Sequence, residues 1–561
     1  MSIKVSCNVR RQNKLPGSFK AIEFVDKFNN EEIHLLPTRL LLSPKALMEW
    51  FIDRHFELPP DKNWKDIIEL LEQKTDKTGE IVDRIGFHGT SYLLSNGTII
   101  GPQKKHTLFL DPQHTAHLPH YGVNGSLEEW QKNVAPAAIH SSRIMLAIGN
   151  ALSGYLLYFV NVESGGLNLF GRSSIGKTTA EKVAISISGP RSNLQSWYFT
   201  EAGAEDLAYG HNDSHLALDE LKTLDRDPKV AHQKASAFTH VISSGKGKNR
   251  SKKSDPSQKN WRVVLLSTGE LSLAEHAKKG GSDRMKGEEV RIIDIPADAG
   301  HGLGIFEEIP DEYNDDSKAY VKLLDEATQH YYGTPQIEFL EKLVADHNAQ
   351  DAERTVSDRI KCYMSEFNNK LKINSKEGTT NRFGDRFALA YAALCMAVEY
   401  EVLPFNNKQI FNRISRCYKA ALGIQPQTPE ERFNRYDKKL VKYLNSYDFP
   451  ALKDCKSMNH GEIKEIDEFG YVMDGINIIG IKRETFINLK LVPKSYIKDF
   501  IKMLRSKGLL LINSNTSNTV QITYNKIKID RSYCFVFPRD DESIAAVKER
   551  NKEYSVNKDN E

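Results

Sequence analysis

Cysteine is scarce. The 561 residues hold six (Cys7, Cys362, Cys395, Cys417, Cys455, Cys534), scattered and without a CxxC pair. That pattern excludes a zinc ribbon and a disulfide framework. Charge of one sign is also missing: 77 Lys plus Arg against 74 Asp plus Glu leave a net charge of +3. A chain-wide polycation is excluded, so any nucleic-acid site must come from local placement of charge. Long hydrophobic runs are few. The first residues, MSIKVSCNVRRQNK, have no apolar core of the kind a secretory signal needs. Residues 144–162 are uncharged over 19 positions, but Gly149, Asn150, Ser153, Gly154, Tyr155, Tyr158 and Asn161 interrupt them. A bilayer span needs about 20 mostly apolar residues, so a buried helix leading into a strand is expected instead. No membrane partner is expected, and the expected compartment is a reducing cytoplasm. No repeat of solenoid length stands out.

What is present points to a folded chain of several domains. Hydrophobic residues make up 40% and charged residues 27%, enough for a sizeable core. Residues 1–125 mix short alternating runs with one helical stretch near WKDIIELLEQK and read as a small α+β domain of unknown role. Residues 126–309 begin with helix, then alternate short apolar strands with helices, the pattern of a parallel sheet with crossovers. Residues 310–428 are helix-rich. Residues 429–540 return to short helices and strands, and residues 541–561 form a charged tail.

The strongest motif is LNLFGRSSIGKTTAEKVAISISG. Within it Gly171-Arg172-Ser173-Ser174-Ile175-Gly176-Lys177-Thr178 fits GxxxxGK[ST], between an apolar strand (167–170) and a helix-compatible run (178–188). Glycines let successive backbone N–H groups turn inward around phosphate oxygens. Lys177 can reach the terminal phosphates, the Thr178 hydroxyl can hold Mg²⁺, and the helix start favours anions. Gly171, Ser173, Ser174, Gly176, Lys177, Thr178 and Thr179 are therefore the candidate ATP-binding residues.

Asp219, 42 residues after Lys177, closes the apolar string His215-Leu216-Ala217-Leu218-Asp219-Glu220. Paired with the loop, this is the expected Walker B strand: Asp219 joins Thr178 as a Mg²⁺ ligand and Glu220 polarises the attacking water. A strand-like run at 197–200 lies between them, so the acidic strand is not the next one in sequence. The buried string Arg262 to Glu270 ends in Ser267 and Thr268, candidates for a polar sensor of the γ-phosphate, with Thr268 preferred. Arg291 precedes the strand IIDIP and is a candidate finger into a neighbouring subunit's nucleotide. The alternatives are a local pair with Glu288 or Glu289, or a finger at Arg284.

Between Lys246 and Arg262 lie seven Lys or Arg and one acid, Asp255. In ring-shaped motors this insertion point carries the loop that faces the channel. Lys246, Lys248, Arg250, Lys252 and Lys253 are the candidate DNA contacts, which should weaken steeply with salt; a solvated loop is the plain alternative, and a loop that contacts its own subunit's phosphates is a third. Near the other end, residues 495–508 read as an amphipathic helix, with Ile497, Phe500, Ile501 and Leu504 on one face and Lys498, Lys502 and Arg505 on another. Helix, strand, turn and strand in that order suggest a winged helix that touches duplex DNA or another protein.

Taken together, GRSSIGKTT, ISGPRSNLQSWYFT, HLALDELKT, SSGKGKNR, LLSTGE and EVRIIDIPA resemble the AAA+ MCM-like replicative helicases of mobile genetic elements, those of staphylococcal cassette chromosomes and their phage and plasmid relatives. The resemblance is persuasive over residues 125–310, thinner to 425 and weak outside that region on both sides. It implies an α/β fold: an AAA+ P-loop NTPase core with a helical lid, a small α+β N-terminal domain and a winged-helix-like C-terminal domain. It implies an ATP- and Mg²⁺-dependent DNA helicase acting as a homo-oligomeric ring, a hexamer by family habit, with single-stranded DNA in the pore. It also implies a second sensor arginine in the lid, where NRFGDRF offers Arg382, favoured over Arg386. Two other readings stay open: a DNA translocase or defence-system NTPase, and a nucleotide-dependent DNA-binding initiator without motor activity.

Overall fold

The structure is a computed structural model. It describes residues 3–11, 17–58, 62–102, 106–112, 117–225, 227–248, 258–314, 316–349, 354–373, 378–423, 429–446, 468–473, 476–489, 491–492, 497–512, 517–520, 523–524, 527–528, 531–537 and 539–556. The chain divides into two compact units, Met1–Gln425 and Pro426–Glu561. The architecture is mixed α/β.

The first unit opens with a five-stranded sheet: β1 (Lys4–Arg11), β2 (Ser18–Val25), β3 (Glu31–Pro37), β4 (Thr78–Val82) and β8 (His106–Leu110), in the order β3-β2-β1-β4-β8. β1 to β3 form an antiparallel meander, while β4 and β8 run parallel to β1. Two helices, α1 (Pro44–Ile52) and α2 (Trp64–Glu72), share a core with this sheet through Ile22, Phe24, Leu36, Phe51 and Leu71. α2 begins at Asn63 with a capping box to Asp66 and buries Ile67 and Leu71, four positions apart. A small three-stranded sheet, β5 (Gly86–His88), β6 (Ser91–Leu93) and β7 (Ile99–Ile100), is inserted before β8.

Three helices follow: α3 (Leu127–Asn133), α4 (Ala137–His140) and α5 (Ser142–Leu156). Every residue of α5 is buried, so the uncharged run is a core helix. Among the described residues no helix is long and apolar enough to cross a membrane. The central sheet then forms from β9 (Gly165–Phe170), α6 (Lys177–Ser186), β10 (Gln195–Ser196), α7 (Glu201–Gly210), β11 (Ser214–Asp219), α8 (Pro228–Ser244), β12 (Val263–Gly269), α9 (Leu273–Lys279), α10 (Lys286–Glu289) and β13 (Ile292–Pro296). All pairings are parallel and the order is β10-β11-β12-β9-β13. Burial explains the composition of these strands: β12, VVLLSTG, is buried at every position, as a parallel strand covered on both faces must be. The expected strand at 197–200 lies two residues late. β10 is Gln195–Ser196, Trp197 is buried after it, and the Thr200 hydroxyl caps α7 instead.

The rest of the unit is helical: α11 (Ser317–His330), α12 (Thr334–Asn348), α13 (Val356–Lys370), α14 (Gly378–Glu399) and α15 (Asn407–Leu422). α14 approaches α5 so closely that a Cβ on Gly149 would meet Ala390 O at 2.9 Å. This explains the small residues in both helices.

The second unit contains α16 (Pro429–Leu444), β14 (Glu468–Met473), β15 (Ile476–Lys482), α17 (Arg483–Asn488), α18 (Ile497–Ser506), β16 (Leu510–Leu511), β17 (Thr523–Tyr524), β18 (Ile527–Lys528), β19 (Ser532–Val536) and α19 (Asp541–Val556). Its antiparallel sheet has the order β14-β15-β19-β16, and β17 pairs with β18 as a separate hairpin. α18 buries Ile497, Phe500, Ile501 and Leu504, while Lys498 and Lys502 are exposed.

Candidate active site

In a parallel sheet the loops at the carboxyl ends of neighbouring strands share one edge. Here β9, β11 and β12 are adjacent in space, so residues 171–178, 219–220 and 268–270 meet at that edge. The loop after β9 is held from both sides: Gly171 N–H donates to Gly269 O at 3.1 Å and Ile305 N–H to Ile175 O at 2.9 Å. Gly176 has φ 97° and directly precedes α6; a Cβ there would meet Ile305 at 2.9 Å. Ser174 also takes a positive φ, 62°. The turn thus delivers the N-terminus of α6 into an open cleft, lined by residues 172–179, Gly302 to Gly304, and Ser317, Lys318 and Val321 of α11.

The expected residues converge. Thr178 Oγ1 lies 3.3 and 3.4 Å from the two Asp219 carboxylate oxygens. Thr268 Oγ1 donates to Asp219 Oδ1 at 2.6 Å and accepts from Glu220 N–H at 3.2 Å. Ser267 faces the other way, between Trp197 Nε1 at 3.0 Å and Asn168 Oδ1 at 3.2 Å. Of the two sensor candidates, Thr268 alone is bonded at the acidic pair. Glu220 sits at φ 59°, a left-handed conformation that costs a non-glycine residue about 1 kcal/mol or more, and its buried Oε1 has no hydrogen-bond partner. Strain of this kind persists only where the surrounding structure over-determines the conformation.

Lys177 Nζ donates to Gly171 O at 2.8 Å and Arg172 O at 2.9 Å. Burial pulls its pKa down, and Glu220, Glu270, Asp219 and Glu181 oppose that shift. Glu181 lies fully buried on α6; burial first, then the Asp219 charge, raise its carboxyl well above the ordinary range. Thr179 is buried behind the loop, while Ser173 and Ser174 are exposed at its apex. Sequence reasoning passed over Glu181, Glu270, Lys318 and the Gly302–Gly304 turn. Lys318 and the Gly302–Gly304 turn line the cleft and Glu181 and Glu270 act on Lys177 by their charge, and no local pattern marks them.

The arginines stand elsewhere. In β13, Ile292 pairs beside Gly166 and Pro296 beside Phe170. Arg291 is therefore at the opposite end of the sheet from the phosphate-type loop, roughly 16 Å of strand away. Its guanidinium donates to Gly287 O at 3.3 Å. Arg284 is committed to structure: it bonds Asp294 Oδ2 at 2.9 Å, Ile292 O at 2.6 Å and Glu288 O at 3.0 Å, with a side chain only 4% exposed. Arg386 binds Glu163 O and Ser164 O, each at 2.7 Å, and burial pulls it down to about 10. Arg382 is exposed, 3.8 Å from the Glu163 carboxylate. The structure brings neither Arg291 nor Arg382 to the cleft of its own chain; both sit at the edge where β9 begins.

The basic segment has a hairpin base. Lys246 pairs with Asn260, Gly247 N–H donates to Lys259 O and Trp261 N–H to Gly245 O. Lys246 is exposed; Lys248 is paired with Glu201 at 2.5 Å. Arg250, Lys252 and Lys253 lie outside the described residues.

Residues 3–262 match the family model of a domain of unknown function, DUF927. No curated protein matches the chain. Among solved structures, the chain is similar to the active helicase Cch of SCCmec type IV, at 15% identity and a TM-score of 0.57, over 98% of this chain and 94% of that one. At that identity what is shared is a fold, the mixed α/β architecture of a helicase. The apo A form of the NrS-1 C-terminal region aligns over 95% of this chain and 96% of that one, at 9% identity and a TM-score of 0.29, too low to bear on the fold.

Proposed function

We propose that this chain is an ATP-driven DNA helicase with an AAA+ core, acting as a ring of identical subunits. One observation carries the reading: Lys177, Thr178, Asp219, Glu220 and Thr268 converge at one edge of a parallel sheet whose loop strand, β9, is separated from the acidic strand, β11, by β12. That order belongs to NTPases with an additional catalytic glutamate.

The donor set fits Mg²⁺ and a triphosphate. Thr178 and Asp219 supply the hard oxygens that Mg²⁺ takes beside phosphates, and Lys177 has only backbone carbonyls as hydrogen-bond partners. Bound Mg²⁺ would offset charge on the phosphoryl oxygens. Loop N–H groups and Lys177 would hold the phosphates. Thr268 fixes Asp219 and the Glu220 backbone together, and Glu220, with an unpartnered oxygen, would take a proton from the attacking water. Arg291 is the finger in this reading, since Arg284 is tied to Asp294. Arg382 is the second sensor; both would act on the adjoining subunit from the edge where β9 begins. In the domain scheme, residues 126–309 are the ATPase core and 310–428 the lid.

The segment 245–261, paired at its base, would carry DNA contacts in the pore. The second unit reads as a winged helix: β15, α17, α18, β16, a hairpin and β19, with β19 between β15 and β16 in the sheet. Duplex DNA is its proposed partner. The name of the structural neighbour, an active helicase, agrees with this assignment. The test is ATP hydrolysis with and without forked DNA, combined with strand displacement. Hydrolysis indifferent to DNA, with no strand released, would leave an initiator or another NTPase as the better reading.

A further inference from the structure

Glu270 follows β12 and has no part in the hydrolysis scheme above. Its carboxylate nevertheless reaches the loop: Oε1 accepts from Ser173 Oγ at 2.5 Å, and Oε2 lies 3.5 Å from Lys222 Nζ. Lys177 also feels it, after Glu220 and ahead of Asp219. The Ser173 hydroxyl first, then Lys222, hold the carboxyl below its ordinary range, so it is an anion at neutral pH. An oxyanion bonded to the apex of a phosphate-type loop, in the field of that loop's lysine, opposes any further anion brought to that loop. Its place at the tip of β12, beside the turn that follows Glu220, is the side at which hydrolysis would occur.

We propose that Glu270 is an internal anion that takes the γ-phosphate's position on the loop and is displaced only by a nucleotide carrying that phosphate. The proposal rests on the nucleotide reading of this cleft. A carboxylate on Ser173 and a γ-phosphate beside Lys177 repel each other, and at a partly exposed site that repulsion is worth a few-fold in affinity and weakens with salt. A diphosphate leaves Glu270 in place. A triphosphate moves it and frees Lys222, which lies on the turn Leu221–Thr223 directly after Glu220. Loading is thereby signalled to the strand tip that carries the catalytic acid.

Glu270→Gln keeps the size of the side chain and its hydrogen-bonding ability but removes the charge. The experiment is equilibrium titration of the full chain with Mg²⁺ and either a non-hydrolysable ATP analogue or ADP, at two ionic strengths. The variant should bind the analogue about three- to tenfold more tightly, a gain that shrinks at higher salt, while ADP affinity changes less than about twofold. Glu270→Ala, which lacks both charge and hydrogen bond, should shift the ratio of the two affinities in the same direction. An unchanged or weaker analogue affinity, an equal gain for ADP, or opposite shifts in the two variants would overturn the proposal while nucleotide binding itself stood. Wild-type protein that bound neither nucleotide would sink the nucleotide reading and this inference with it.

Discussion

At Lys177, burial lowers the cost of losing the proton while four carboxylates resist that loss. The balance is that of a cation kept for an anionic ligand. Lys177→Ala should weaken nucleotide binding roughly a hundredfold, because a charge-assisted partner is lost and the remaining acids then face the phosphates unopposed. Titration with a fluorescent ATP analogue measures this directly; an affinity within a factor of three of wild type would remove Lys177 from the site. Glu220 differs in kind. Its backbone is strained and one oxygen is buried without a partner, yet it anchors nothing through its side chain. Glu220→Gln should therefore keep binding ATP while turnover falls about 10²- to 10⁴-fold, the range of a lost general base. Single-turnover hydrolysis with binding measured in parallel separates the two effects.

At the scale of elements, the sheet edge opposite the cleft has its own chemistry. His211 and His215 flank the start of β11, fully buried, and burial lowers them to about 4 and about 3. Both are neutral in the fold and would titrate near 6.5 once unfolded. The unfolded chain therefore binds more protons below that value. Their contribution is complete above about pH 6.5 and is lost as pH falls toward 4, at about 1.4 kcal/mol per pH unit for each histidine. Urea melts between pH 7 and pH 5 should show this slope, and His215→Asn should remove about half of it. An unaltered slope would mean that other groups govern acid sensitivity.

The same scale decides what the sequence could reveal. Strand and helix around the GxxxxGK loop were legible because their signals are local: an apolar run, fixed glycines, then a helix-compatible run that is buried along most of its length. β11 and β12 were legible as continuous apolar strings ending in polar residues. β10 was not, since two residues leave no periodicity, and Trp197, which suggests a strand by its type, is instead packed after it. The string LLSTG offers both Ser267 and Thr268 as the sensor; strand alternation, which points the first at Trp197 and the second at Asp219, supplies the physical ground for preferring Thr268. Glu270 and Glu181 needed tertiary geometry altogether. The two arginines before β13 show the same limit. Arg284 and Arg291 look equivalent in sequence, but one is buried against Asp294 and the other is not. Arg284→Ala should cost about 3 kcal/mol of stability by leaving a buried carboxylate without its cation. Arg291→Ala should cost about 1 kcal/mol or less and yet abolish DNA-stimulated hydrolysis. Mixing Arg291→Ala with Glu220→Gln should restore part of the activity, since some interfaces would then pair an intact arginine with an intact glutamate. A mixture as inactive as its components would deny a shared site.

For the whole molecule, a net charge of only +3 sets the terms on which the proposed DNA contact would be made. A chain this balanced cannot hold a phosphate backbone by its overall field, so affinity must arise where cations gather. The hairpin base does gather them, and it is attached where α8 ends and β12 begins, on the same strand that carries Thr268. Lys248 is partly neutralised by Glu201 and Lys246 is exposed, so the two should not contribute equally. Counterion release gives each lysine in contact with a single strand a slope of about 0.7 in log affinity against log salt. Lys246→Ala should lower that slope by about this amount. Lys248→Ala should lower it less, because its charge is already shared, and Glu201→Gln should raise it by freeing Lys248. Fluorescence anisotropy with a single-stranded oligonucleotide over a salt series measures all three. Identical slopes for wild type and every variant would move the DNA path away from the hairpin base.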